Sequence, residues 1–189
     1  MSNLKTLFAT DIGRVGDSTN DNQNGIKGDL EGGGRIRYEA DGTIYRWVRN
    51  YHTAALADGN VVSHTFSDLA NAYQRVRDGA TADIGFMAGV VRADSAVAAD
   101  SSGSAGDGDC CWIQISGYYA EIDVLEHSSS AAAAGDVCIA VNAQLYANAD
   151  AEVDMGTAPT HVRYIELAAA TGTSGAAANA EGFIHCYAP

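Results

Sequence analysis

The segment Arg35-Ile-Arg-Tyr-Glu-Ala-Asp-Gly-Thr-Ile-Tyr-Arg-Trp-Val-Arg49 decides how this chain is read. Asp41-Gly42 sits between two alternating runs, the signature of a two-residue type I′ hairpin turn, whose central residues both need φ > 0. Such a turn sets Ala40 opposite Thr43, Tyr38 opposite Tyr45, Ile36 opposite Trp47 and Arg37 opposite Arg46. Side chains alternate along a strand, so Ile36, Tyr38, Ala40, Thr43, Tyr45 and Trp47 are expected on one apolar face. Arg35, Arg37 and Arg46 are expected on the other, balanced only by Glu39. With Arg49, this segment holds four of the 11 basic residues of a chain whose net charge is −13. A basic face on an acidic chain has two readings. It docks on an acidic partner, or its guanidinium groups pair with Asp or Glu on a neighbouring strand of the same protein. Arg37 opposite Arg46 needs a carboxylate in either case.

Working outward, 189 residues fit one domain, or one domain with an arm. The 47% hydrophobic content overstates the core, because much of it is alanine, in runs such as Ala131 to Ala134 and Ala176 to Ala178. Each alanine buries little area, so neighbouring subunits are expected to supply part of the stability. The net charge and a pI near 4.5 argue against nucleic acid and against an anionic membrane surface as partners. No apolar run approaches the length of a transmembrane helix. The opening Met-Ser-Asn-Leu-Lys-Thr-Leu-Phe lacks the apolar stretch and cleavage site of a signal peptide, so synthesis in the cytoplasm is expected.

Residues 1–34 read as an extended N-terminal arm and residues 35–189 as a β-rich domain. Leu4, Leu7 and Phe8 are the arm's anchors. From Asp17 to Gly34 its only large hydrophobes are Ile26 and Leu30, so it has no core of its own and is expected to order across a partner. Asp58-Gly59 reads as a turn feeding a strand. Ser67 to Arg77 reads as one short helix, with Ser67 as cap, Leu69, Tyr73 and Val76 on one face, and Asp78-Gly79 as stop. Further strands are expected at 83–91, 111–116, 118–125, 137–141, 162–167 and 182–187. The fold class is therefore mainly β, an antiparallel β-sandwich or barrel with one short helix and the arm.

Chemistry-bearing patterns are weak. His52, His64, His127, His161 and His185 have no metal-site spacing. There is no Gly-x-Ser-x-Gly elbow, and Glu31-Gly-Gly-Gly-Arg35 lacks the Lys-Ser/Thr of a phosphate loop, reading instead as a flexible joint. Cys110, Cys111, Cys138 and Cys186 read as small buried hydrophobes, with Cys110 and Cys111 on opposite faces of a strand. Asn20 to Glu31 has the register of a calcium loop, with Asn20, Asn22 and Asn24 as early ligands, Gly25 at the turn and Glu31 closing. Lys27 falls where an apolar residue belongs, and Glu31 is the only anionic ligand. Tyr119, Glu121 and Asp123 are expected together on a wet strand face. No catalytic, cofactor or metal residue is assigned, and no cofactor is expected.

Asp41-Gly-Thr-Ile-Tyr-Arg-Trp-Val48 followed by Ala55-Leu-Ala-Asp-Gly-Asn-Val-Val62 resembles the openings of small virion structural proteins of tailed bacteriophages. Those proteins carry a D-G-x-x-Y-x-[YW]-V hairpin and then A-L-A-x-G-[DN]-V-V. Ala88-Gly-Val-Val91, Trp112-Ile-Gln-Ile-Ser-Gly117 and Ala134-Gly-Asp-Val-Cys-Ile-Ala140 are similar to later strands of the same group, so the likeness spans residues 35–142. The polar arm and the Cys110-Cys111 pair stand outside that pattern. The resemblance implies a capsid decoration (cement) protein: a non-enzymatic component of the virion, assembled in the host cytoplasm, on the outer capsid surface. An acidic chain is repelled by packaged DNA, which agrees with an outer position. The implied partners are the major capsid protein and further copies of the chain as a dimer or trimer, with no nucleic acid or membrane. Leu4, Leu7, Phe8, Arg14, Arg35, Arg37 and Arg46 are the candidate interface. A phage tail or receptor-binding component, touching the host through Tyr118-Tyr119, is the alternative. A small hydrolase is the remote one, and it needs converging His, Cys or carboxylate groups.

Overall fold

A computed structural model describes residues 8, 10–19, 22–23, 26–65, 74–78, 87–99, 108–126, 134–135, 137–141, 144–147, 164–168 and 177–186. They are mainly β, with no α-helix among the described residues. The strands are β1 (Asn22–Gln23), β2 (Ile26–Lys27), β3 (Ile36–Tyr38), β4 (Ile44–Asn50), β5 (Val61–His64) and β6 (Arg75–Asp78), then β7 (Met87–Arg92), β8 (Cys110–Glu126), β9 (Val137–Val141), β10 (Gln144–Ala147), β11 (Tyr164–Leu167) and β12 (Ala177–His185). β1 and β2 pair only with each other, and the other strands form one 10-stranded sheet.

β8, with 17 residues, organises this sheet. Its first half pairs with β4 on one edge and β7 on the other, and its second half with β12 and β10. From β8 the ladder runs through β7, β5, β6 and β4 and returns to β8. A second run through β12, β11, β9 and β10 also returns to β8. The β4–β6 and β8–β10 pairings are parallel, and the rest are antiparallel. The sequence reading divides β8 at Gly117, but the strand passes through it with φ +101°. A Cβ there would sit 2.8 Å from Thr43 Cγ2, so glycine serves both the conformation and the close approach.

A bulge then changes the phase of β8. Ala180 faces Ile122 and Gly182 faces Tyr119, so Ala120 and Glu121 together oppose Glu181. Tyr119 and Ile122 are consequently both buried, while Ala120 and Glu121 are exposed. The wet face expected to hold Tyr119 with Glu121 and Asp123 thus loses Tyr119 to the core.

The β3–β4 hairpin differs from its reading by one residue. Ile36 faces Arg46, Arg37 faces Tyr45 and Tyr38 faces Ile44. Gly42 N–H donates to Glu39 O at 3.1 Å and Glu39 N–H to Thr43 O at 3.0 Å, closing a three-residue loop, Ala40-Asp41-Gly42. Gly42 has φ +89°, as a type I turn followed by a glycine bulge requires. The Asp41 carboxylate selects this loop by accepting from Thr43 N at 2.9 Å and Thr43 Oγ1 at 2.6 Å. Those donors hold its pKa below the usual range. A one-residue slip moves each pairing to the other face. Arg35 and Arg37 therefore lie with Tyr45 and Trp47, while Arg46 turns with Ile44 and Val48 towards the main core. The expected face of three arginines is not formed.

β4 is accordingly buried on both sides. Val48 joins the main core with Val61, Val90, Ile113, Ile115 and Ile122. Tyr45 and Trp47 form a second, smaller core with Cys110 and Trp112, against which Phe8, Ile12 and Leu30 pack. The expected helix is also corrected where it is described. Arg75, Val76 and Arg77 lie in β6, between β4 and β5, with Val76 fully buried. Alternation along Arg-Val-Arg satisfies two ladders at once, which a helix end could not. Residues 67–73 of that expectation lie outside the described residues.

Candidate interface

The described part of the N-terminal segment lies on this chain's own sheet. Phe8 meets Trp112 edge-on with centroids 5.8 Å apart, and Trp112 meets Trp47 at 5.2 Å. Each indole N–H is bound from the segment: Trp112 donates to Thr10 Oγ1 at 2.9 Å and Trp47 to Asp29 Oδ1 at 2.8 Å. Thr10 in turn donates from its N–H and hydroxyl to Glu31 Oε1, at 2.5 and 2.8 Å. Asp29 also accepts from Gly32 N at 2.8 Å and Gly33 N at 3.0 Å, so the expected flexible joint is pinned. Gly16 and Cys110 exchange backbone bonds of 2.7 and 3.0 Å, and Ser18 N–H donates to the buried Asp109 at 2.8 Å. The segment is a strap.

The strap crosses itself where two glycines meet. A Cβ on Gly16 would lie 1.9 Å from Gly28 O, too close for any side chain. Gly16→Ala should therefore cost about 1–3 kcal/mol through forced backbone shifts. Urea unfolding followed by tryptophan emission should show the lowered midpoint.

Arg35 and Arg37 find their carboxylates within this chain. Arg35 lies 4.8 Å over the Phe8 ring and pairs with Glu31 at 3.2 Å. Arg37 lies 5.1 Å over the same ring, pairs with Glu39 and donates to Thr10 O at 2.8 Å. Arg46 is 7% exposed, with Nη1 3.3 Å from His64 Nε2. Arg14 is exposed, and Leu4 and Leu7 lie outside the described residues. Phe8, Arg35 and Arg37 are thus brought together, while Arg46 is placed elsewhere. Glu31, the sole anionic ligand of the calcium reading, is committed to Thr10 and Arg35. Asn22–Gln23 and Ile26–Lys27 of that loop pair as antiparallel strands, and Asn20, Asn24 and Gly25 lie outside the described residues.

A second polar cluster ties the turn at Asp58 to β8. Tyr119 O–H donates to Asp58 Oδ2, and Asp58 Oδ1 accepts from Ala93 N at 2.9 Å. Arg92 stands 3.9 Å over the Tyr119 ring and 3.5 Å from Asp58. Asn60 donates to Asp123 at 2.5 Å, and Asp123 N–H donates to Gly59 O at 3.1 Å. Burial pushes Asp123 above its usual pKa, with the Asp58 charge adding to it and the Asn60 bond opposing. A carboxyl with a raised folded pKa binds its proton more tightly when folded, so its contribution to stability falls as pH rises through that pKa. Asp123→Asn should raise the melting temperature at pH 7, and the gain should vanish below the ordinary value of 3.8. Melts at the two pH values read this directly.

Cys110 faces the smaller core and Cys111 the main one, as strand alternation requires. Burial pushes the Cys110 thiol up to about 12, against the pull of Arg49, and raises Cys111 further. Cys186 is buried as well. A thiol reagent should therefore label at most one of the four cysteines of the native protein, and all four in denaturant. Among the described residues no three His, Cys, Asp or Glu side chains form a metal-ligand group.

Tyr118 and Phe183, 43% and 47% exposed, stack edge-on with centroids 5.5 Å apart. Tyr118 O–H donates to Glu181. The sequence reading sets Tyr118 and Tyr119 on opposite faces of a strand while offering both as a host contact, and the structure exposes Tyr118 and buries Tyr119. The reading passes over Phe183, whose signal is the alternation Gly182-Phe183-Ile184. Compared with known proteins, the chain matches no family model, no curated protein and no solved structure.

Proposed function

We propose that the chain is a non-enzymatic bacteriophage structural protein, a capsid decoration (cement) protein that binds the outer surface of the major capsid protein lattice as a homo-oligomer. The observation that carries this reading is the stacked Tyr118–Phe183 pair held exposed on the directly paired strands β8 and β12. Exposed aromatics on rigid elements are the usual anchors of protein–protein contacts. The net charge of −13 agrees with a position away from packaged DNA. We read the two closed ladders as small barrels sharing β8. Closure hides strand edges, which suits a protein crowded against many copies of itself. With Arg35 and Arg37 engaged inside the strap, the attachment surface in this reading shifts to β8 and β12.

Quantitative mass spectrometry of purified particles from a host carrying the gene tests the proposal. Hundreds of copies per particle support decoration. A few copies assign the chain to the tail, and absence from particles overturns both.

A further inference from the structure

We propose that the Tyr118–Phe183 face receives an arginine side chain presented by a basic segment of another protein. The inference rests on reading this face as an attachment surface. It does not depend on where the protein resides.

The chain repeats one local arrangement, an aromatic ring, an arginine over it and a carboxylate holding the arginine. Arg35 lies over Phe8 at 4.8 Å, held by Glu31 at 3.2 Å. Arg37 lies over Phe8 at 5.1 Å, held by Glu39. Arg92 lies over Tyr119 at 3.9 Å, with Asp58 at 3.5 Å. Two of the three parts recur on the exposed face of β11, β12 and β8. Glu166 stands directly opposite Phe183, and Phe183 directly opposite Tyr118, so the three share one face in a row across three strands. Glu181 joins them through the Tyr118 hydroxyl. Among the described residues no arginine or lysine is stacked on this pair.

The missing part identifies the ligand. Ring faces attract a cation, and the flanking carboxylates set its charge. A planar guanidinium stacks on a ring while its N–H fork reaches a carboxylate, a geometry that a compact, strongly hydrated ammonium group matches less well. The net charge of −13 draws a basic segment in from a distance and repels phosphate-bearing ligands.

Isothermal titration of the full chain with the peptide Gly-Arg-Gly-Arg-Gly tests this, beside its lysine and citrulline counterparts. Binding should be salt-sensitive, several-fold weaker for lysine and lost for citrulline. Phe183→Ala should weaken it about tenfold, the size of a partly desolvated cation–π contact. Glu166→Gln with Glu181→Gln should weaken it comparably, whereas Tyr118→Phe should keep it. All these positions are on the surface, so melting curves should stay unchanged. Equal binding by the Phe183→Ala chain, or an equal loss from the remote exposed Asp94→Asn, overturns the proposal. So does self-association abolished by Phe183→Ala, which makes a second copy the occupant. If the peptide results hold and particles lack the protein, only the virion reading fails. If Phe183→Ala frees the protein from particles but leaves peptide binding unchanged, only the arginine assignment fails.

Discussion

A chain beginning at Arg35 should lose its cooperative fold, not merely an arm. The sequence reading treats residues 1–34 as separable from the β-rich domain, and the contacts of the strap argue otherwise. Trp47 and Trp112 are both fully buried, and Phe8, Ile12 and Leu30 pack against the core they form with Tyr45 and Cys110. A tryptophan buries roughly 150–250 Å². Uncovering about half of each ring system costs on the order of 4–6 kcal/mol at ~25 cal/mol per Å². Two indole N–H bonds go as well, at about 1 kcal/mol each. The sum is comparable with the whole stability of a typical domain, ~5–15 kcal/mol. The truncated protein should show no sharp thermal transition and should bind an apolar dye. A cooperative melt within a few degrees of the full chain would exclude a structural role for the strap.

Asn50→Ala should be the most damaging single substitution among the polar residues described above. Asn50 is fully buried at the end of β4. Its amide nitrogen lies 3.0 Å from Ala54 O and 3.1 Å from both Val97 O and Ala98 O, and its oxygen accepts from His52 N at 2.9 Å. One side chain thus joins the loop after β4 to the loop after β7. Alanine leaves buried carbonyls and an amide without it, each at about 1–3 kcal/mol before water enters. A net loss of about 3–5 kcal/mol follows, or roughly 10 °C in melting temperature for a chain of this size. Asn50→Asp should do no better, because a carboxylate would face three carbonyl oxygens. Calorimetry of both variants checks the pair, and an aspartate variant as stable as the parent would refute the role of the amide donor.

What was legible in the sequence is what depends on local chemistry. β9 begins and ends where its apolar run does, at Val137 and Val141. The Asp58-Gly59 turn is present, with Gly59 at φ +83°, and adjacent cysteines take opposite faces as alternation demands. Wherever two local solutions compete, the pattern cannot choose. Asp41-Gly42 suits both a two-residue and a three-residue loop, and the Asp41 bonds to Thr43 decide between them. That choice reassigns the faces of six neighbouring residues and removes the basic patch. Val76 fits a helical face and a strand equally well, and the ladders on both sides of β6 select the strand. The strap was illegible for a different reason. Its hold depends on single side-chain bonds across long separations, such as Trp112 to Thr10 and Ser18 to Asp109, and these follow no period. β10 carries only four residues and no turn signal the reading used.

The strap's contact with the sheet, from which the displaced docking surface follows, is open to one direct measurement. The chain has 2 tryptophans, so its amide spectrum holds two indole N–H signals that need little assignment. Transferred into deuterated water, both protons should persist for hours, because Asp29 and Thr10 hold them under the strap. Thr10→Val should speed exchange of the Trp112 proton and leave that of Trp47 slow. Exchange of both within the first minutes in the unmodified chain would contradict the account and release Arg35 and Arg37 for a partner.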